Sequence, residues 1–132
     1  MSESSKEDLA RRVDAIEAGY ELMLAYAAQG ATSDAASANG AQLREFLGRF
    51  ERALTGLTEA FRGVIIADGR DPGIYDAFLD VLARDSQSSQ AGLRMVMAQS
   101  SISSQTIDNL NASLHVRALL TDVFLMDELL KP

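Results

Sequence analysis

The sequence predicts an all-α protein, an antiparallel up-down-up-down four-helix bundle with helices over about residues 5–29, 41–66, 72–100 and 104–130. Three observations carry this reading. Apolar residues recur by fours and threes along nearly the whole chain, the spacing that lines one face of a helix. Gly, Pro and Ser interrupt that pattern at three places. The segments so divided are similar in length, as helices lying side by side must be.

The first segment begins at a serine cap, either Ser5 with Asp8 or Ser4 with Glu7 in the capping-box position. Leu9, Val13, Ile16, Tyr20, Met23 and Ala27 then form a single stripe, and Glu7–Arg11 and Asp8–Arg12 are correctly oriented outer pairs. Gly30 ends it, and ATSDAASANG, residues 31–40, has the composition of a loop. In the second segment Leu43, Leu47, Phe50, Leu54, Leu57, Phe61 and Val64 continue the four-three alternation without a gap as far as ADGRDPG. There Asp71 is placed to cap a third helix, with Pro72 at the first position, where the missing N–H is not needed.

No proline follows until the last residue, and one frame fits Tyr75, Leu79, Leu82, Ser86, Ser89, Leu93, Val96, Ser100, Ser103, Ile107, Leu110 and Leu114. A single helix over 72–130 would be roughly 88 Å long and would leave half its apolar face without a partner in one chain. A break in SSISSQ, residues 100–105, with Ser103 or Ser104 capping a fourth helix, is therefore preferred. DSQSSQ, residues 85–90, is the other candidate break. On this reading the serine cluster is a connection and not a site.

The chain is expected to be one domain over residues 1–132, with residues 1–4 flexible. Nineteen acidic against twelve basic residues give a net charge of −7, and the basic residues are scattered. Such a chain repels phosphate backbones and anionic lipid, so neither nucleic acid nor membrane is an expected partner. The absence of cysteine removes disulfide and thiolate chemistry and suits a reducing compartment. With no apolar signal region and no apolar run of membrane-spanning length, the expectation is a cytoplasmic protein.

Candidate chemistry is sparse. Asp108, His115 and Asp122 recur every seven residues with Asn111 between the first two, a possible polar site in which a carboxylate orients the lone histidine or an N/O set meets a cation. Two helical turns, roughly 10 Å, separate successive members, so a polar stripe facing water is the plainer reading. Glu17 with Glu21 and Asp76 with Asp80 are carboxylate pairs one turn apart that could serve an all-carboxylate magnesium site. Asp80 also precedes Arg84 by four, the spacing of an ordinary surface pair. The Glu-x-x-His set of a di-iron bundle is missing, the calcium-loop spacing fails in ADGRDPG, and no phosphate loop or nucleophile elbow occurs. No cofactor is expected, and no segment carries a family signature.

Two features point to interaction instead. Gly48, Gly56 and Gly63 share one side of the second segment and mark either a weak solvent face or the close approach of another helix. The last segment places apolar side chains most of the way round its axis. Leu119, Leu120, Val123, Phe124, Met126 and Leu130 are read as an interface there, most simply that of a two-fold homodimer. The methionines, including Met23, Met95, Met97 and Met126, read as core filler. The expected function is that of a non-enzymatic adaptor, regulator or chaperone-like partner. The alternative is a small enzyme or ligand carrier built on the polar residues named above.

Overall fold

Six α-helices and one 3-10 turn make up the computed structural model, which describes residues 2–132, with side chains from residue 5 onward. They are α1 (Ser2–Ala27), α2 (Gly40–Leu54), α3 (Leu57–Ala67), α4 (Pro72–Met97), α5 (Ser104–Ala112) and α6 (Leu114–Leu129), with the 3-10 turn at Asp34–Ala36. No strand occurs among the described residues. The all-α expectation holds, but the division into four does not, because two of the four expected helices are each broken into two. The expected loose start at residues 1–4 falls partly on residue 1, outside the described residues. Residues 2–4 are already helical, so the helix start expected at Ser4 or Ser5 falls inside α1.

The first break is at Thr55–Gly56. Thr55 is extended, and Gly56 adopts the left-handed conformation at φ 81°, which costs a residue without Cβ nothing. A broken helix leaves carbonyls without intrahelical donors, and here they are met from two sides. The Arg12 guanidinium of α1 donates to the carbonyls of Ala53, at 3.1 Å, and of Thr55. Gln90 of α4 donates to the Glu51 carbonyl at 3.1 Å and to Thr55 Oγ1 at 2.8 Å. The four-three alternation runs straight through, so Leu43, Leu47, Phe50, Leu54, Leu57, Phe61 and Val64 are all buried. Gly56 thus makes a turn, and the stripe expected with Gly48 and Gly63 is not a helix-packing surface. A Cβ at Gly48 would meet only the Arg52 side chain, and one at Gly63 only Ser5. Close approach occurs at Gly19 of α1, where a Cβ would stand 2.8 Å from the Phe50 ring.

The second break is at Ser113, which closes α5 and opens α6. Its backbone is extended, its N–H reaches the Leu110 carbonyl at 3.1 Å, and its hydroxyl accepts from the Val116 N–H at 3.4 Å as an N-cap. The packing explains why the chain turns here: α5 lies mainly against α1, whereas α6 lies mainly against α4. One straight helix could not reach both. The break expected in the serine cluster is present between Met97 and Ser104, and Ser103 caps α5 by accepting from the Thr106 N–H. Asp71 and Pro72 open α4 as expected.

The two 26-residue helices, α1 and α4, form the long sides of the molecule. The pair α2–α3 packs against both, and the core lies among them, filled by Ile16, Met23, Phe50, Phe61, Leu79, Leu82, Ile107, Leu119 and Val123 among others. At one end the connections are sewn together by polar groups. Asp34 accepts from Arg44 Nε at 2.6 Å and from the Ile102 N–H at 2.7 Å, and Arg44 also donates to the carbonyls of Met97 and Gln99. The Tyr26 hydroxyl donates to the Ile102 carbonyl at 2.6 Å, and Ser104 Oγ links the Tyr26 carbonyl to the Ala31 N–H. The serine cluster is therefore structural, as read from the sequence, and fastens the 98–103 crossing to the 28–39 loop.

Candidate functional site

Helix α6 carries four of the eight large apolar side chains that are exposed among the described residues. At about 100° per residue, its apolar positions fall into two arcs and not one wide band. The first holds Val116, Leu119, Leu120, Val123, Met126 and Leu130, all buried within the chain itself. Five of the six residues expected as an interface, Leu119, Leu120, Val123, Met126 and Leu130, are thus core residues, shielded by the chain's own helices. Only Phe124 of that set is exposed, and it lies toward α1, beside Tyr20.

The second arc holds Leu114, Ala118, Leu125 and Leu129 and faces outward. Sequence reasoning passed over it because both arcs merge in a count of apolar residues. Beside it, on α4, Ile74, Val81, Ser88 and Met95 recur every seven residues on the side next to the buried frame of Leu79, Leu82, Ser86, Ser89 and Leu93. The two helices run antiparallel: Ser89 Oγ donates to the His115 carbonyl at 3.1 Å near one end of the seam, and Asp85 meets Asp122 further along it. Eight large apolar side chains are exposed among the described residues, and five belong to these two stripes: Ile74 (76%), Met95 (67%), Leu114 (76%), Leu125 (46%) and Leu129 (51%). Where α4 and α6 part near the α5 junction, a shallow groove of about 420 Å³ opens over Gly92, Val96, Leu110 and Val116. The result is a two-helix apolar face, with Asp85 near the middle of one stripe and Asp122 beside the middle of the other.

That acid pair is the unusual chemistry of the molecule. Asp122 is only 6% exposed, its Oδ2 has no hydrogen-bond partner, and no ion pair reaches either acid among the described residues. Ser86 Oγ, one residue after Asp85, is likewise buried and unpartnered. Burial first, and the Asp85 carboxylate second, push the Asp122 carboxyl up to about 7. A proton held between the two oxygens satisfies a group that an ionised carboxylate would leave orphaned.

The sequence had grouped Asp122 with Asp108, Asn111 and His115, and the structure divides them. The break at Ser113 sends Asp108 and Asn111 to a hollow on the α1 side, lined also by Tyr20 and Arg117. His115 is exposed and shares with Asp122 the side of α6 toward α4, two turns away. No triad can form from them. Of the carboxylate pairs, Asp76 is ion-paired with Arg62, and among the described residues no three His, Asp or Glu side chains are grouped to hold a metal ion. Among the described residues no helix is long and apolar enough to cross a membrane.

No family model, curated protein or solved structure matches this chain. The reading of its function rests on the α4–α6 face alone.

The raised Asp122 carboxyl has a consequence for stability. In the unfolded chain the group ionises near its ordinary value of 3.8, whereas in the fold it keeps its proton to about 7. The folded state then holds a proton that the unfolded state has lost, so this group's contribution falls as pH rises through that window and is flat above it. Asp34 acts oppositely and at lower pH: the Arg44 guanidinium, then the Ile102 N–H, hold its carboxyl below the usual range, so its stabilisation is lost on acidification. The melting temperature of the wild type should therefore fall between pH 5 and pH 7. Asp122→Asn should flatten that slope and raise the melting temperature at pH 8. A pH-independent wild type over that range would show that Asp122 is not held protonated.

Proposed function

We propose that this chain is a non-enzymatic interaction module that self-associates, as an isologous two-fold dimer, through the outer face shared by α4 and α6. The observation that carries this reading is the concentration of exposed apolar side chains on that one face, a patch of the kind that marks interaction sites. The partner that fits it is a second copy. Both stripes extend to similar reach either side of the acid pair, so a two-fold axis through the pair sets each stripe against its equivalent. The area is sufficient as well. α4 is roughly 39 Å long and α6 roughly 24 Å, and two helices packed about 9 Å apart present a face about 18 Å wide. Pairing would bury on the order of 600 Å² on each copy, the lower end of a stable interface.

The dimer through the C-terminal helix is retained on different residues from those the apolar count suggested, namely Leu114, Leu125 and Leu129 with Ile74 and Met95. The same surface would serve an adaptor or regulator exposing it to a client when the copies separate. A cytoplasmic location is proposed with it, on the cysteine-free composition.

Light scattering across a dilution series tests the reading. Wild-type protein should approach twice the 14.2 kDa chain mass. Leu114→Lys with Leu125→Lys, both at exposed positions, should give the single-chain mass while leaving the melting temperature within a few degrees. Wild-type protein that stays at the single-chain mass at about 0.1 mM would remove the proposal.

A further inference from the structure

We infer that pairing through the α4–α6 face is coupled to proton uptake, with Asp85 and Asp122 together receiving the proton, so that two copies join more tightly as the solution becomes more acidic. This rests on the face proposed above and adds its regulation. The geometry carries it. The pair lies at the centre of an apolar face, Asp122 is already nearly sealed by its own chain, and Asp85 is half-buried on the side that remains open. A second copy set on that face removes the last water from Asp85. Two carboxylates in one dry site, without a cation, cannot both stay ionised. On a two-fold axis the second copy brings the same two acids alongside, so docking adds like charge as well as dehydration.

The surrounding charges leave the pair uncompensated within one chain. On α4, Arg84 precedes Asp85 and points about 100° away from it, into solvent. On α6, His115 is exposed two turns away, and Arg117 lines the far hollow with Asp108 of α5. α2 and α3 meet α4 through Glu51 and Arg62, already ion-paired with Arg94 and Asp76. From α1, Lys6 is ion-paired with Asp68, and Tyr20 reaches the Phe124 side of α6. His115 is the chain's one histidine, so His115→Gln separates its contribution from that of the acids.

Sedimentation equilibrium from pH 6 to pH 8 at fixed ionic strength is the test, on wild type, Asp85→Asn, Asp122→Asn and His115→Gln. One proton per copy is two per dimer, worth at most about a hundredfold per pH unit; because the free chain already holds its proton over the lower part of that range, the wild-type dimer dissociation constant should rise on the order of 10- to 100-fold from pH 6 to pH 8. Asp85→Asn should pair tightly at pH 8 and lose most of the dependence. Asp122→Asn should do the same, and Asp85→Asn, at a half-buried position, keeps the test open should Asp122→Asn fold poorly. His115→Gln should keep the dependence. A wild-type dimer indifferent to pH overturns proton coupling and leaves the interface standing. A dimer tighter at pH 8 also overturns it, since the acids would then enter ionised against Arg84 of the second copy. Absence of pairing in every variant at every pH is instead the failure of the interface itself.

Discussion

Truncating Phe50 to alanine is expected to lower the unfolding free energy by about 3–5 kcal/mol, the range for deleting a fully buried aromatic ring. Phe50 is wholly inaccessible and seated in the notch that Gly19 leaves in α1. The vacated volume lies between α1 and α2, the most extensively packed helix pair, and both helices are held from the other side, so the site has little room to collapse. A domain of this size has about 5–15 kcal/mol in all, so the variant should melt far earlier and at markedly lower urea. Urea denaturation followed by circular dichroism gives the value. A loss under about 1 kcal/mol would mean that the ring does not fill the α1–α2 seam. Gly19→Ala should also destabilise, by about 1–3 kcal/mol, since a Cβ there would stand 2.8 Å from Phe50 Cδ2 and 3.1 Å from its Cβ, the near end of a buried side chain that cannot swing clear.

Asp34→Ala is expected to cost about 3 kcal/mol, for a different reason. The change leaves the Ile102 N–H without its acceptor and strips Arg44 of its counter-charge, while Arg44 still spans the Met97 and Gln99 carbonyls. The crossing at 98–103 then loses its direct tie to Asp34, and Tyr26, the Ser104–Ala31 bonds and the uncompensated Arg44 must hold it. Hydrogen exchange should show Ile102 losing protection far more than the α2–α3 amides. Equal loss everywhere would indicate global destabilisation without the local release predicted here.

These two sites also show how far the sequence could be read. Phe50 belongs to an alternation that no other local structure satisfies, so the stripes on α1, α2 and α4 were legible in advance, as were the Asp71–Pro72 start and a cap at Ser103 or Ser104, of which the fold uses Ser103. The breaks were hidden for a physical reason. The alternation from Leu43 to Val64 continues through Gly56, because a short interruption that restores the phase buries the same residues. The only sign was a glycine able to take positive φ, and it had been grouped with two others. At Ser113 the sign was a capping serine three before Val116, set in a pattern that also suited an uninterrupted helix. Asp34 looked like any loop acid, since its partner Ile102 lies 68 positions away.

The face proposed for pairing was half legible. The width of the apolar surface on α6 was apparent, but which part the chain would cover depended on the turn at Ser113 and on the neighbour that α6 meets. Ile74, Val81 and Met95 were visible seven apart, yet the stronger inner frame of Leu79, Leu82 and Leu93 on the same helix overshadowed them. Asp122 was singled out for its spacing from His115. What distinguishes it is burial beside Asp85, which no one-dimensional spacing records.

The most direct test of the account uses the chain's lack of cysteine. Thr121→Cys places a unique thiol at the edge of the outer arc of α6, where it borders the α1-side hollow and lies next to Asp122 and the proposed axis, and Leu24→Cys places one on α1, away from it. With a short bis-maleimide at low protein concentration, the account predicts rapid covalent dimers from Thr121→Cys and almost none from Leu24→Cys. Equal yields from both positions, or dimers from Leu24→Cys alone, would contradict pairing through the α4–α6 face.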